Sequence, residues 1–488
     1  MASRIPLLAA AAAAAAALLT AGCRDKETGP IPISAIGAPP RMVAPAREPL
    51  DPASAFLIEN TAEGLVRFDA GGDIEPGLAQ SWILSDDGLR YTFRLARLSW
   101  PDGSRVTAEQ VVQRLKAAGG PASRNPLKPL LGAIAEIEAM TDEVLEITLK
   151  SPRLNFLQLL AQPEMALLRA GQGIGPFIAQ KRGDGSLLLA PPHHPDEEPV
   201  AGDRPAMPLV LRGEPAAMAV ARFQLGDSEL VVGGSLADLP FARAGAAPGG
   251  SLVFDPVAGL FGLAVAAREG PLLHPEARQA LAMALDRTAL VAALRVPGLQ
   301  ARETLLPAGV EGLDAPATPD WTALPLPARR AAAERALAPL LKGARLRVRV
   351  SLPEGPGHRL LFAYLRRDWA QIGVDAERVG PAAPADLRLV DEVAPVPLAS
   401  WYLRHFTCGA AAVCDGEADE ALEAARNAPD QAARRGFLQA ADARLAAAAP
   451  FIAIAAPIRW SLVSPRLTGF RPNPFARHPG SELIRAAP

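Results

Sequence analysis

The stretch IEPGLAQSWILSDDGLRYTFRL, residues 74–95, joins a phrase without periodicity to a clear strand pattern. In its second half Leu89, Tyr91, Phe93 and Leu95 alternate with Arg90, Thr92 and Arg94, the pattern of a strand with one buried face. Residues 82–84 and 89–95 flank Ser85-Asp86-Asp87-Gly88, so the spacing predicts a hairpin around that turn. Asp86 and Asp87 serve the turn, because Asp side chains bond the backbone two residues on. Downstream, Trp100-Pro101-Asp102-Gly103 makes a second turn. Thr107 and Gln110 then form a capping box for a helix with Val111, Val112 and Leu115 on its apolar face. The first half of the stretch, Glu75 to Trp82, carries no obvious catalytic group.

With 488 residues the chain can build two or three domains with buried cores. A formal net charge of −2 excludes the basic surplus that a nucleic-acid binder needs to neutralise phosphates. Arg4, the Ala/Leu run over residues 5–19 and the small residues before Cys23 read as a secretory signal over residues 1–22. The stretch LLTAGC resembles a bacterial lipobox, with Thr20 where that motif usually has Leu. It implies diacylation of Cys23 and a membrane-anchored lipoprotein on the periplasmic side of the envelope; an ordinary signal-peptidase site is the alternative. Residues 23–50 read as a flexible, Pro-rich tether. Cys408 and Cys414, six apart in a Gly/Ala-rich loop, favour a small disulfide over a metal or redox pair, which would want CxxC spacing and nearby ligands.

Further along, PEARQALAMALDRTALV predicts a helix with Pro275 in its first turn. A helix over residues 328–342, the alternating strand of Leu346, Val348 and Val350, a helix ending at Gly373 and the strand VDAERV predict a βαβ unit with a mainly parallel sheet. Catalytic motifs are missing: there is no GxSxG, P-loop, GxGxxG or HExxH. His193-His194 in a Pro-rich polar loop and Ser235 in GGSLADLP are weak candidates for metal and nucleophile chemistry, and neither has a partner pattern. No enzyme activity, no metal and no cofactor is expected.

The whole phrase EGLVRFDAGGDIEPGLAQSWILSDDGLRYTFRLARLSWPDGSRVTAEQVVQRL, residues 63–115, closely resembles the signature of the peptide/nickel-type (family 5) extracellular solute-binding proteins of ABC importers. Glu63-Gly64-Leu65, Pro76 to Trp82, Asp87 to Phe93 and Asp102 to Val111 match in order and spacing, with Gln110 in place of the usual Asp. GIGPF at 173–177, the 275–291 helix, RRDWAQIGVDAE and the C-terminal APFIAIAAPIRWSLVSPRLTGFRPNP resemble further blocks of the family. The resemblance implies an α/β, two-lobed periplasmic-binding-protein fold with an extra inserted domain and mixed sheets flanked by helices. It implies lobe I from residues 51–67, 172–260 and 463–488, an inserted domain II from 68–171, and lobe III from 261–462. Trp82, Tyr91 and Phe93 are expected in the core of domain II. The implied function is capture of a peptide-like or other small solute between lobes I and III by hinge closure, in a monomer, and delivery to an ABC permease in the inner membrane. A sensor or partner-binding module on the same fold, and more remotely a periplasmic hydrolase, are the alternatives.

The chain also departs from the family pattern. Peptide-binding members place an Asp in a lobe III stretch where this chain has Pro395, followed by Val396 and Pro397. A buried charge stripped of its partner costs ~3–5 kcal/mol, so peptide recognition would need Asp391 or Glu392 as a substitute. Trp401 and Tyr402 are the aromatic candidates for the cleft wall.

Overall fold

The hairpin around Asp87 is present, and the inserted domain grows from it. In the computed structural model, which describes residues 29–153, 155–192, 206–245 and 250–485, the strands Ala79–Leu84 and Arg90–Leu95 pair antiparallel with Trp82 opposite Phe93. Asp87 Oδ1 accepts the Leu89 amide at 3.0 Å, and Gly88 takes φ +70° to close the turn. These strands form a four-stranded antiparallel sheet with Val144–Leu149 and Ile134–Ala139. The helix Ala108–Gly119, opened by the Thr107–Gln110 capping box, covers it with Val111, Val112 and Leu115. Tyr91 and Phe93 are buried in that core, whereas Trp82 packs at its margin only partly covered. The aperiodic phrase before the hairpin is a backbone crossing: the amides of Leu78 and Ala79 donate to the carbonyls of Gly64 and Leu65. A Cβ on Gly77 would stand 2.7 Å from Gly64 O, so the crossing requires glycine there.

The first lobe is built on a seven-stranded sheet whose order runs Leu252–Phe254, Arg459–Val463, Leu230–Ser235, Ile31–Ile36, Leu209–Glu214, Leu187–Ala190, Ile178–Lys181. Ile31–Ile36 lies parallel between Leu209–Glu214 and Leu230–Ser235, with Ile31, Ile33 and Ala35 buried. This corrects the tether reading of residues 23–50, which holds a central strand. Its partners lie some 180 and 200 positions away, so the short Pro-containing run IPISAI gives no local signal of its pairing. Residues 1–28, including the signal segment and Cys23, and the pair His193-His194 lie outside the described residues.

The second lobe holds a five-stranded sheet in the order Val374–Val379, Leu346–Ser351, Leu387–Val393, Gly259–Val265, Phe451–Ala455. The βαβ unit is there: Leu346–Ser351 and Val374–Val379 run parallel, joined by the helix Pro356–Ala370. The sheet is mixed rather than mainly parallel, because Gly259–Val265 pairs antiparallel with both its neighbours. Two chain crossings join the lobes, residues 255–258 outward and 456–458 back. The return therefore falls before Arg459–Val463, which is a strand of the first lobe, and not at 462. One apolar core runs across both lobes, from Val231, Trp460 and Leu462 to Phe261, Leu361 and Trp369. At its edge the N-terminal turn of helix Pro356–Ala370 packs directly on the 236–238 turn of the first lobe. A Cβ on Gly357 would lie 1.7 Å from Leu236 O. Cys408 and Cys414 are joined as a disulfide in the loop after helix Ala399–Arg404.

Candidate functional site

Between the lobes lies a cavity of about 680 Å³ whose wall comes from all three parts of the molecule. The first lobe contributes the face of helix Pro52–Thr61 that carries Phe56 and Glu59, the strand end Val232–Gly234, and the C-terminal segment 475–478. Domain II brings Leu127, Leu130, Gln162 and Glu164; the second lobe brings residues 392–395, Trp401, Arg404 and His405. Asp51 caps the Pro52–Thr61 helix by accepting the Ala53 and Ser54 amides, which fixes where that helix meets the cavity.

Most charges on this wall are consumed by one another. Arg477 bonds Glu164 at 3.2 Å, His478 Nε2 bonds Asp255 at 3.3 Å, His405 Nε2 bonds Glu392 at 3.1 Å, and Arg459 bonds Asp391 at 2.8 Å. Among the described residues lining the cavity, Glu59 and Arg404 are the two charged groups without an ion-pair partner. Burial pushes the Glu59 carboxyl above its usual range against the opposing pull of Arg477 and His478. Burial, aided by the like charge of Arg426, pulls the Arg404 guanidinium down. No three His, Cys, Asp or Glu side chains converge to hold a metal ion among the described residues.

The sequence candidates fare unequally. Glu392 and Trp401 lie on the cavity wall, with Trp401 edge-on to His405 at 4.6 Å. Asp391 does not line it: its carboxylate faces Arg459 beside the inter-lobe crossing, and its backbone carbonyl accepts a second bond from the same guanidinium. Tyr402 is no wall residue either. It is fully buried in the second lobe's core, where burial pushes its phenol up to about 12. A strand residue and its neighbour point to opposite faces, and a helix turns about 100° per residue, so adjacent candidates such as Asp391-Glu392 and Trp401-Tyr402 had to separate. Ser235 caps the 236–238 turn by accepting the Ala237 amide, and among the described residues no side-chain base bonds its hydroxyl.

At Pro395, where the family resemblance led to the expectation of an Asp, the chain makes contacts with domain II. Gln162 Nε2 of domain II donates to Pro395 O at 2.8 Å, and Val396 is buried in the domain II core. This segment bridges the second lobe to domain II instead of presenting an anion to the cavity. Glu59, Glu164, Arg404, Arg459, Arg477 and His478 were not singled out from sequence. They are scattered over more than 400 positions, and none lies in a recognisable motif.

The cavity lies between two lobes joined by two chain crossings. Residues 73–392 match the model described as bacterial extracellular solute-binding proteins, family 5 Middle, well over half of the chain. The chain belongs to this family. The nickel-binding periplasmic protein of Escherichia coli K12 is 28% identical over 261 residues, which are 49% of this chain and 49% of that relative. The chain thus spans about half the length of that curated relative. The murein tripeptide binding protein MppA of Escherichia coli superposes with a TM-score of 0.80 at 19% identity, covering 94% of this chain and 99% of that one. OppA of Haemophilus influenzae in complex with RPPGFSPFR also gives 0.80, at 17% identity and the same coverage. These structures share the two-lobed fold. Fold and relatives alike are those of binding proteins and not of enzymes.

One wall pair of this solute-binding protein makes its chemistry pH-dependent. Burial works against the charged form of His405, but the hydrogen bond and charge of Glu392 outweigh it and raise the imidazole above 6.5. Bonding to His405 holds Glu392 below 4.5. The sign follows: the pair stabilises the wall fully between these two values, weakens as pH rises through the raised His405 value, and weakens again as pH falls through the lowered Glu392 value. An NMR titration of His405 is expected to give a midpoint above 6.5 that drops in Glu392→Gln. A wild-type midpoint at or below 6.5 contradicts the pairing.

Proposed function

We propose that this protein is the solute-capturing component of an ABC import system. It takes a peptide-like or other small solute into the inter-lobe cavity, closes over it by hinge motion about residues 255–258 and 456–458, and delivers it to a permease in the inner membrane. Acylation of Cys23 holds it, as a monomer, on the periplasmic side of the envelope. The nickel-binding, tripeptide-binding and oligopeptide-binding relatives agree in capturing small solutes, as their names state.

The observation that carries the peptide-like reading is the charge balance of the wall. With four ion pairs formed, one carboxyl, Glu59, and one guanidinium, Arg404, remain for the solute, set in a largely apolar surface of Phe56, Leu127, Leu130 and Trp401. An amphoteric solute supplies both missing partners, and an apolar wall with few polar anchors is the usual design of a small-molecule site. A solute ammonium beside the raised Glu59 carboxyl favours its ionised form.

Thermal unfolding of the purified protein with peptides, opines, sugars and metal chelates tests this. A solute at 100 times its dissociation constant is expected to add ~2.7 kcal/mol to stability. The stabilising hits are expected among zwitterionic, peptide-like compounds. A full panel without any stabilising compound overturns the reading.

A further inference from the structure

The first lobe carries a second space, a groove of about 650 Å³ at the other end of its sheet. Gly29, Pro30 and Pro32 form one side of it, at the start of the central strand Ile31–Ile36. The parallel strand Leu230–Ser235 leads from Glu229 on the groove to Val232–Gly234 on the cavity, so the two spaces sit at opposite ends of the same strands. Cations dominate the groove. Arg182, Arg212, Arg222, Arg466 and Arg485 line it, against the carboxylates of Asp227 and Glu229. Three of the five are engaged: Arg212 with Asp184 at 2.5 Å, Arg222 with Glu214 at 2.8 Å and Arg485 with Glu229 at 2.7 Å. Arg485 also donates to Gly29 O and Pro30 O, which ties the start of the strand to this face. Arg182 and Arg466 are exposed and form no ion pair among the described residues. Leu225, 74% exposed, comes between Phe223 and Gly226, which both border the groove.

Exposed arginine beside an exposed apolar side chain suits the boundary of an anionic membrane. Guanidinium groups bond lipid phosphates, and the apolar side chain enters the headgroup layer. The length of chain before Gly29 says which surface this face can meet. Five residues, 24–28, separate Cys23 from Gly29, and such a link spans at most about 22 Å even fully extended. That is less than the ~30 Å hydrocarbon thickness of one bilayer, so acyl chains on Cys23 keep this face next to the headgroups.

We propose that this face of the first lobe lies against the membrane, with the groove taking the phosphate of an anionic phospholipid headgroup. The assignment rests on the acylation of Cys23. Contact at this end of the strands fixes how the anchored protein stands on the bilayer and leaves the cavity at the other end open to solute.

The test uses the full acylated chain, anchored in vesicles of phosphatidylcholine alone or of equal parts phosphatidylcholine and phosphatidylglycerol, and followed by hydrogen exchange. The intact mass of the mature protein is measured first; a free Cys23 overturns the anchor reading and this contact with it. On the anionic vesicles the amides of residues 180–186, 223–229 and 464–467 are expected to exchange at least about fivefold more slowly than on the neutral ones, the gain from one arginine at an anionic surface. Arg182→Gln with Arg466→Gln is expected to remove the difference and leave the melting temperature unchanged, because neither residue is buried or ion-paired among the described residues. A difference that survives in this variant overturns the assignment. Inorganic phosphate added to the neutral vesicles is expected to give no such protection; equal protection means that the groove takes a small free anion and overturns the lipid contact. Equal exchange on both kinds of vesicle, with Cys23 acylated, overturns the contact and leaves the anchor reading intact.

Discussion

Trp369→Ala is expected to lower the stability of the second lobe by roughly 4–6 kcal/mol, seen as a shift of the denaturant midpoint. Trp369 is fully buried on the inner face of helix Pro356–Ala370, in the core that spans both lobes. Truncating it leaves a large cavity, which alone costs ~3–5 kcal/mol. Its indole N–H also donates to Leu281 O at 2.9 Å. Leu281 lies in the last turn of helix Pro275–Ala284, where carbonyls have no intrahelical partner, so the loss leaves a buried acceptor unsatisfied. Trp369→Phe keeps most of the volume and is expected to lose only about 1–3 kcal/mol, mainly for that acceptor. If the two variants melt together, the cavity contribution assigned here is wrong.

The second large effect concerns Asp391. Its carboxylate and Arg459 are both about four-fifths withdrawn from solvent, with side-chain exposures of 16% and 20%. Asp391→Ala strips a mostly buried guanidinium of its counter-ion and is expected to cost about 2–4 kcal/mol, somewhat under the ~3–5 of a fully buried pair. Arg459 keeps the carbonyls of Ile458 and Asp391 as acceptors, which limits the loss. Replacing both partners with apolar groups, Asp391→Leu with Arg459→Met, is expected to return stability to within about 1 kcal/mol of the starting protein, because no charge is then left unpaired. Calorimetric melts of the single and double variants decide it. A double variant no more stable than Asp391→Ala would mean the ion pair is not what holds the crossing.

The contrast between Asp391 and Glu392 shows how far the sequence reached into the site. It pointed to the strand Leu387–Val393, which ends at the cavity. It could not say which carboxylate would find a partner, because Arg459 comes from a strand of the other lobe, 68 positions on. Trp401 and Tyr402 were separated for a similar reason: one step along a helix turned Trp401 to the cavity and Tyr402 into the core. Glu59 and Arg404 were invisible, being ordinary residues of ordinary helices. What sets them apart is the ion-pair partner they lack among the described residues, and that is visible only when all neighbours are in place.

By itself the sequence determined what local interactions fix: the Asp87 turn, the Thr107–Gln110 cap, the helix closed at Gly373, the Cys408–Cys414 link, and, through the spaced phrases from Glu63 to Val111, the family and the two-lobed fold. The turn, the cap, the helix end and the disulfide each depend on residues a few positions apart, whose chemistry acts before the chain is folded; the family and the fold were legible by resemblance. Only the tertiary structure decided that Ile31–Ile36 is a central strand and not a tether, that the chain returns to the first lobe before Arg459, and which charges pair across the cleft. Those outcomes balance burial against desolvation between segments hundreds of residues apart, and that balance does not exist until the lobes have met.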